Sequence, residues 1–266
     1  MTRIRCILAD LFPQPLGRDA HFFDNKELTM IHALQHPMPT PALREFLNST
    51  VLFHGLPTPI QNRASQRLVI RQHPAGATLL LEQDWGDCLY LLVQGWVKIV
   101  TRNREGRDIT LNILGPGNIF GEMASLESSP RSSDVVTLTP VTVGSIPAED
   151  FRDLINTEPQ VGFRLAQLLV KRIQQLNRRL QVRESASSAR LADALLFLAE
   201  GQGQVEKGGV LIPNLPHREL GSLCGLNRET VTRVLKKLEQ EGLITRPDPD
   251  HFYLPDRQRL EALVNG

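Results

Sequence analysis

The chain has 266 residues, 41% of them hydrophobic and 22% charged, an ordinary globular composition that excludes disordered and fibrous classes and suits one large or two modest domains. With 30 Lys and Arg against 29 Asp and Glu the net charge is +1, so any affinity for a polyanion must be local. The longest apolar runs, at 88–93 and 194–199, are far shorter than the roughly 18 residues a membrane helix needs. Arg3 and Arg5 precede a stretch broken by Asp10, with no small-residue cleavage site, and the expectation is a soluble, cytoplasmic protein. Cys6, Cys88 and Cys224 are odd in number, far apart and without a CxxC spacing, which argues against a disulfide framework, a zinc site or a four-cysteine cluster.

Residues 1–41 contain Pro13, Pro15, Pro37, Pro39 and Pro41 without a sustained apolar period, and read as a loosely ordered extension to which no chemistry is assigned. From Leu68 to Ile146 short β-rich runs recur: 79–81, 89–93, Val97 with Ile99, Ile109 with Leu111 and Ile113, Val135 with Val136, and Val141 with Val143. That spacing predicts a sandwich or jelly roll, with Gly86 and Gly95 interrupting apolar runs and 103–106 as a hairpin turn. After Pro147 the segment AEDFRDLI reads as a short helix with acids in its first turn.

The texture then changes. From Pro159 to about Glu184 there is no internal Pro, while Leu165, Leu169, Ile173, Leu176 and Leu180 recur at helical spacing. The part of that seam running through Leu169, Ile173, Leu176 and Leu180 fits a short parallel coiled coil, although one apolar face on the parent domain would give the same pattern. Next come a helix over 187–200, a glycine-rich loop at 201–209, helices near 217–223 and 227–241, and a hairpin over 243–254. Strands followed by helices predict an α+β chain: extension 1–41, β-domain 42–158, long helix 159–184 and helical domain 185–266.

Two stretches carry chemistry. In 115–133, Gly121 permits close backbone approach, the helical turn after it points N–H groups outward, and Arg131 with Ser132 offers donors for phosphate oxygens. Glu122 would be repelled by phosphate and suits a ribose hydroxyl. By themselves these glycines equally describe a tight turn in a β-domain. In 217–240, Leu220 and Leu223 lie on a first helix, Gly225 permits a tight turn, Asn227 can cap a second helix, and Val231, Val234, Leu235 and Leu238 face inward. Arg228, Arg233, Lys236 and Lys237 against Glu229 give a local excess of three positive charges, although 190–266 holds 10 basic and 11 acidic residues.

The first stretch resembles the phosphate-binding cassette of cyclic-nucleotide-binding domains in the Crp/Fnr family, with Phe120-Gly121-Glu122 and Arg131-Ser132 in the places of FGE and RS. The resemblance runs from about Leu43 to the C-terminus. It implies an N-terminal β jelly roll, a long dimerisation helix and a C-terminal winged helix-turn-helix. It further implies a ligand site of Phe120, Gly121, Glu122, Met123, Arg131, Ser132 and Ser133, in which Gly121 and Glu122 hold the ribose and Arg131 and Ser132 the cyclic phosphate. The base-holding Thr-Ser pair of the cyclic-AMP receptor falls on Leu176 and Asn177; Leu176 cannot donate, whereas Asn177 offers donor and acceptor. Homodimerisation along Leu169, Ile173, Leu176 and Leu180 is implied as well.

The second stretch is similar to the RETVxR recognition helix of the cyclic-AMP receptor subgroup. Arg228 and Arg233 can fork to guanine O6 and N7 and Glu229 can accept from cytosine N4, while Thr232 replaces the Gly of close members and Lys236 adds a charge. The expected protein is no enzyme but an effector-controlled transcription regulator that reads a TGTGA-type palindrome. Cyclic AMP is the first choice of effector and cyclic di-GMP the second, with no metal or other cofactor. The competing reading is an effector-independent or partner-binding regulator with a vestigial cassette, whose extension docks a second regulator. The resemblance places a surface for RNA polymerase in 201–209. Four cysteines for an iron-sulfur sensor, a ligation motif for haem, and the GxSxG, HExxH and P-loop signatures are all missing from the sequence.

Overall fold

The computed structural model describes residues 40–102, 106, 108–206 and 208–265, so the extension before Thr40 and the turn residues 103–105 lie outside the described residues. The chain divides into two compact units. Of the described residues, the first comprises those up to Trp96, Pro116–Ser132 and Thr137–Leu165; the second comprises those within Val97–Gly115, Ser133–Val136 and those from Ala166 onward.

In the first unit α1 (Thr40–Ser49) and α2 (Thr58–Gln66) precede β1 (Val69–His73), β2 (Thr78–Leu80) and β3 (Cys88–Gln94). Further along lie β6 (Ile119–Phe120), α3 (Glu122–Glu127), β8 (Val141–Pro147) and α4 (Ala148–Thr157). An antiparallel sheet orders these strands β1-β8-β3-β6, with Leu91 opposite both Gly144 and Ile119. Because side chains alternate along a strand, β3 buries Leu89 and Leu91 and leaves Cys88 and Tyr90 half-buried on its other face. That parity places Cys88 and Tyr90 beside the cassette. Phe46, Leu47, Phe53, Ile146 and Phe151 complete the core. Arg63 ties α2 to α4, donating to Glu158 at 2.6 Å, Thr157 at 3.0 Å and Asp153 at 3.3 Å, and Arg67 pairs with Asp150.

The second unit contains β4 (Val97–Arg102), β5 (Asp108–Leu114) and β7 (Asp134–Thr137, up to Val136), with β4 lying between the other two strands. The long helix α5 (Pro159–Gln181) starts in the first unit, where Val161 and Leu165 are buried. Beyond Ala166 its apolar seam is open: Val170, Ile173, Leu176 and Leu180 are each at least 50% exposed, and Leu169 is half-buried. A 3₁₀ turn over Val182–Glu184 leads to α6 (Ser187–Gln202), which buries Leu191, Leu195, Leu196, Phe197 and Leu198. A helix apolar on all sides is the centre of a domain rather than its surface.

The same unit holds β9 (Gln204–Glu206), β10 (Gly209–Pro213), α7 (His217–Cys224), α8 (Arg228–Gln240), β11 (Thr245–Asp248), β12 (His251–Leu254) and α9 (Arg257–Asn265). The segment 201–209, expected as a loop, instead ends α6 and supplies β9 and the first residue of β10. Its strands join the predicted hairpin in one sheet, β11-β12-β10-β9, with Val210 opposite Leu254 and Val205. Nothing in 201–206 signals a strand, because Val205 is its only β-branched residue among Gly and Gln. Helix α9 was also not anticipated.

An ionic cluster fastens α5 to α6. Arg178 reaches Asp193 Oδ1 at 2.5 Å and Glu200 Oε1 at 2.6 Å, Gln175 donates to Glu200 at 3.1 Å, and Arg257 of α9 stands 3.7 Å from Glu200. Asp193 is 2% exposed, so its charge has protein rather than water around it. Burial alone would push the Glu200 carboxyl up, but the hydrogen bonds from Arg178 and Gln175 outweigh it and hold the group below the usual carboxylate range. A depressed folded value stabilises the fold above the ordinary Glu range and loses that contribution as pH falls through the folded value. We expect Arg178→Met to lower the unfolding free energy at pH 7 by about 2–3 kcal/mol, because the carboxylates stay buried without their cation. Urea denaturation should also show a shallower loss of stability below pH 4.5 in the variant than in the wild type.

Candidate functional site

The cassette is organised around a buried guanidinium. Gly121 ends β6 at φ 78°, a left-handed conformation that L side chains rarely adopt, and α3 starts at the next residue. Arg131, 3% exposed, folds under this turn and donates from one terminal nitrogen to Gly121 O at 2.9 Å and from the other to Cys88 O at 3.0 Å. Its guanidinium lies 5.6 Å from the centroid of the Tyr90 ring, and Asp87 is 3.7 Å away. The Tyr90 ring stacks on Phe120 at 5.2 Å with an interplanar angle of 7°. The approach is close enough that a Cβ on Gly121 would stand 2.7 Å from the Arg131 guanidinium, and one on Gly86 would stand 2.3 Å from Ala124 Cβ.

Of the predicted ligand residues, Phe120, Gly121, Glu122, Met123, Arg131 and Ser132 come together in the first unit, while Ser133, Leu176 and Asn177 belong to the second. The Phe120 ring is fully buried, so its part is to hold the floor. Glu122 is buried in the first turn of α3, Met123 is 54% exposed, and Ser132 Oγ is 3.7 Å from Met123 Sδ. Ser132 is exposed, while its chain neighbour Arg131 is buried with two of its five N–H donors engaged by backbone carbonyls. Asp87, Cys88 and Tyr90 were missed as members of this site. The signal was present in the alternation of β3, which puts residues 88 and 90 on the face opposite the core.

Burial together with Asp87 pushes the Cys88 thiol up, and burial pushes that of Cys224 to about 11. Both are therefore protonated, unreactive thiols near neutral pH. No group of three potential metal ligands occurs among the described residues, nor is any described helix long and apolar enough to cross a membrane.

In the second unit α7 and α8 form a helix-turn-helix. Gly225 ends α7 at φ 65°, and the Asn227 side chain accepts from Thr230 N at 2.8 Å, capping α8. Arg190 of α6 holds this turn, donating to Cys224 O at 2.7 and 3.0 Å. Val231, Val234, Leu235 and Leu238 are buried, which leaves Arg228, Glu229, Thr232, Arg233 and Lys236 exposed together on the opposite face. The β4–β5 hairpin docks on α7: Lys98 meets Glu219, 1% exposed, at 3.1 Å, and Thr110 Oγ1 meets Ser222 Oγ at 2.6 Å. Arg179 of α5 donates to Leu111 O at 2.6 Å.

Two family models match this chain, a cyclic nucleotide-binding domain over residues 70–158 and a Crp-like helix-turn-helix domain over 189–263. A cyclic AMP receptor protein of Thermus thermophilus is 33% identical over 83% of this chain and 99% of its own. The chain belongs to the Crp/Fnr family of transcription regulators. A CRP-like cAMP-activated global transcriptional regulator of Mycobacterium tuberculosis is 30% identical over 81% of this chain and 97% of its own. The c-di-GMP responsive regulator CLP of Xanthomonas campestris shares the fold, with a TM-score of 0.58 and 24% identity over 73% of this chain and 98% of its own. Members of the family are DNA-binding regulators rather than enzymes, and the jelly-roll, long-helix and winged-helix order expected from the sequence is the order found.

For this family member, Gly121→Ala should cost about 1–3 kcal/mol from the left-handed backbone, with the clash on Arg131 added. Thermal unfolding should show the loss, whereas Gly106→Ala, at the same sign of φ in open space, should show the backbone part alone.

Proposed function

We propose that this Crp/Fnr regulator binds cyclic AMP at Gly121, Glu122, Met123, Arg131, Ser132 and Ser133 and, as a homodimer, reads a TGTGA-type palindrome. Cyclic di-GMP is the second candidate effector. The sequential division at 42–158, 159–184 and 185–266 belongs to this reading. The observation that carries it is the buried Arg131, held on the carbonyl of a positive-φ Gly121 and followed by an exposed Ser132. Glu122 in that first turn suits a ribose hydroxyl. The open seam of Leu169, Ile173, Leu176 and Leu180 supports pairing along α5, where Asn177 would offer the nucleotide base its hydrogen bonds. RNA polymerase is a further partner in this reading.

One observation favours the competing reading, a cassette without an effector: two Arg131 donors already rest on Gly121 O and Cys88 O. Calorimetric titration with cyclic AMP, cyclic GMP and cyclic di-GMP separates the two. Arg131→Leu should weaken binding of the accepted nucleotide at least about tenfold, since charge-assisted hydrogen bonds of roughly 1.5–3 kcal/mol each are removed. Heat from none of the nucleotides in the wild type would select the effector-free reading.

Arg228, Arg233 and Glu229 are positioned for base edges and Lys236 for phosphate. Arg228→Ala and Arg233→Ala should each cost about 1–3 kcal/mol per half-site and relax preference for the guanine they face. Lys236→Ala should weaken all duplexes alike and flatten the salt dependence. Selection from random duplexes with saturating nucleotide checks this: half-sites whose centres lie about one helical turn apart are expected, and a single unrepeated motif would contradict the dimer.

A further inference from the structure

Thr232 Oγ1 donates to Arg228 O at 2.9 Å, one turn back in α8, and lies 2.7 Å from His217 Nδ1 at the start of α7. A hydroxyl has one proton. With that proton assigned to the Arg228 carbonyl, both contacts are satisfied when His217 Nδ1–H donates to Thr232, which is the neutral tautomer with Nε2 bare. Two things follow. Thr232 has no proton to give a phosphate, so a free acceptor lone pair and a methyl group are what it can present to DNA. His217, conversely, gains a second donor only when protonated.

The charges acting on His217 come from three elements. Arg228 and Glu239 stand on α8 and Arg246 on β11, while Arg218 and Glu219 follow it on α7, 2.9 Å from each other. Glu239 is itself engaged, 3.2 Å from Arg246, so the cations prevail. Burial and these two arginines hold the His217 imidazole below its ordinary value, keeping it neutral in the free protein at neutral pH. Around His217 the positive charge of Arg228 and Arg246 therefore exceeds the negative charge of Glu239, leaving an excess of positive charge. A backbone phosphate would balance it.

We propose that His217 makes DNA reading proton-linked: it locks Thr232 in place through Nδ1–H and, on protonation, offers Nε2–H to a DNA phosphate. The inference rests on the reading that α8 enters the DNA groove. A phosphate raises the protonation range of His217 from its depressed value in the free protein, so affinity rises as pH falls between the bound and free ranges and is flat outside them. Thr232 contributes its methyl group and lone pair, not its proton.

The test is fluorescence anisotropy of the full chain on a duplex carrying TGTGA and TCACA half-sites, with saturating cyclic AMP and constant ionic strength, from pH 5.5 to 8.5. Wild-type affinity should rise roughly fivefold or more from pH 8 to pH 6, and His217→Gln, which keeps a polar side chain but cannot titrate, should lose most of that rise. Other histidines contribute equally to both proteins, so the difference isolates His217. NMR should show the His217 resonance titrating at higher pH with DNA than without. Parallel pH curves for wild type and His217→Gln, with both proteins binding, would overturn the role of His217 while leaving DNA reading by α8 intact. Absence of binding by the wild type to any duplex would overturn both.

Discussion

A guanidinium buried to 3% exposure inside a β-domain is the constraint on which the cassette depends. An unpaired buried charge is prohibitive, so the fold must surround the Arg131 guanidinium with acceptors. It does so with the Gly121 and Cys88 carbonyls and an aromatic face on Tyr90. Each provision fixes another residue. Gly121 must lack a Cβ and take positive φ to bring its carbonyl within 2.9 Å; Gly86 must lack one to let Ala124 and Arg131 pass; Phe120 must stack on Tyr90 to hold the ring in place.

The second unit solves the same problem with the opposite sign. Its buried charges are carboxylates, Asp193 and Glu219, and each is answered by a cation from a different element, Arg178 of α5 for the first and Lys98 of β4 for the second, with Arg218 beside Glu219 on α7 itself. Ion pairs of this kind add little net stability relative to an apolar replacement, but they fail sharply when one partner is lost. They therefore specify position more than they stabilise, which suits a helix-turn-helix that must be held at a defined place relative to α5 and the β4–β5 hairpin.

The legible parts of this sequence were those where one residue type has one physical use. Helix α5 could be read from its period, α8 from its Asn227 cap and inward Val231, Val234, Leu235 and Leu238, and the strands from β-branched runs between glycines. Resemblance supplied the family, and the comparisons bear it out. The residues that were not legible act through contacts distant in sequence. Asp87, Cys88 and Tyr90 meet Arg131 across some forty residues, Asp193 meets Arg178 across a helix turn-around, and β9 pairs with β10 although its own sequence has little strand character. Pairing of that kind is decided by tertiary context, which a one-dimensional period does not contain.

Charge distribution is what permits a nearly neutral chain to be a DNA reader. With a net charge of +1, long-range attraction to a polyanion is weak, and non-specific affinity has to come from the few phosphates that the basic face can reach. Lys237 is partly answered by Glu241 at 3.7 Å and Arg246 by Glu239 at 3.2 Å, which reduces the free positive charge further. A regulator built this way loses less by competition from bulk DNA than a strongly basic one would, because the sequence-independent part of its binding is small. Discrimination then falls on groups that read base edges, and such groups are effective only when their geometry is fixed. The Asn227 cap, the Arg190 brace on the Cys224 carbonyl and the Thr232 hydroxyl tied to Arg228 and His217 supply that fixity within two turns of α8.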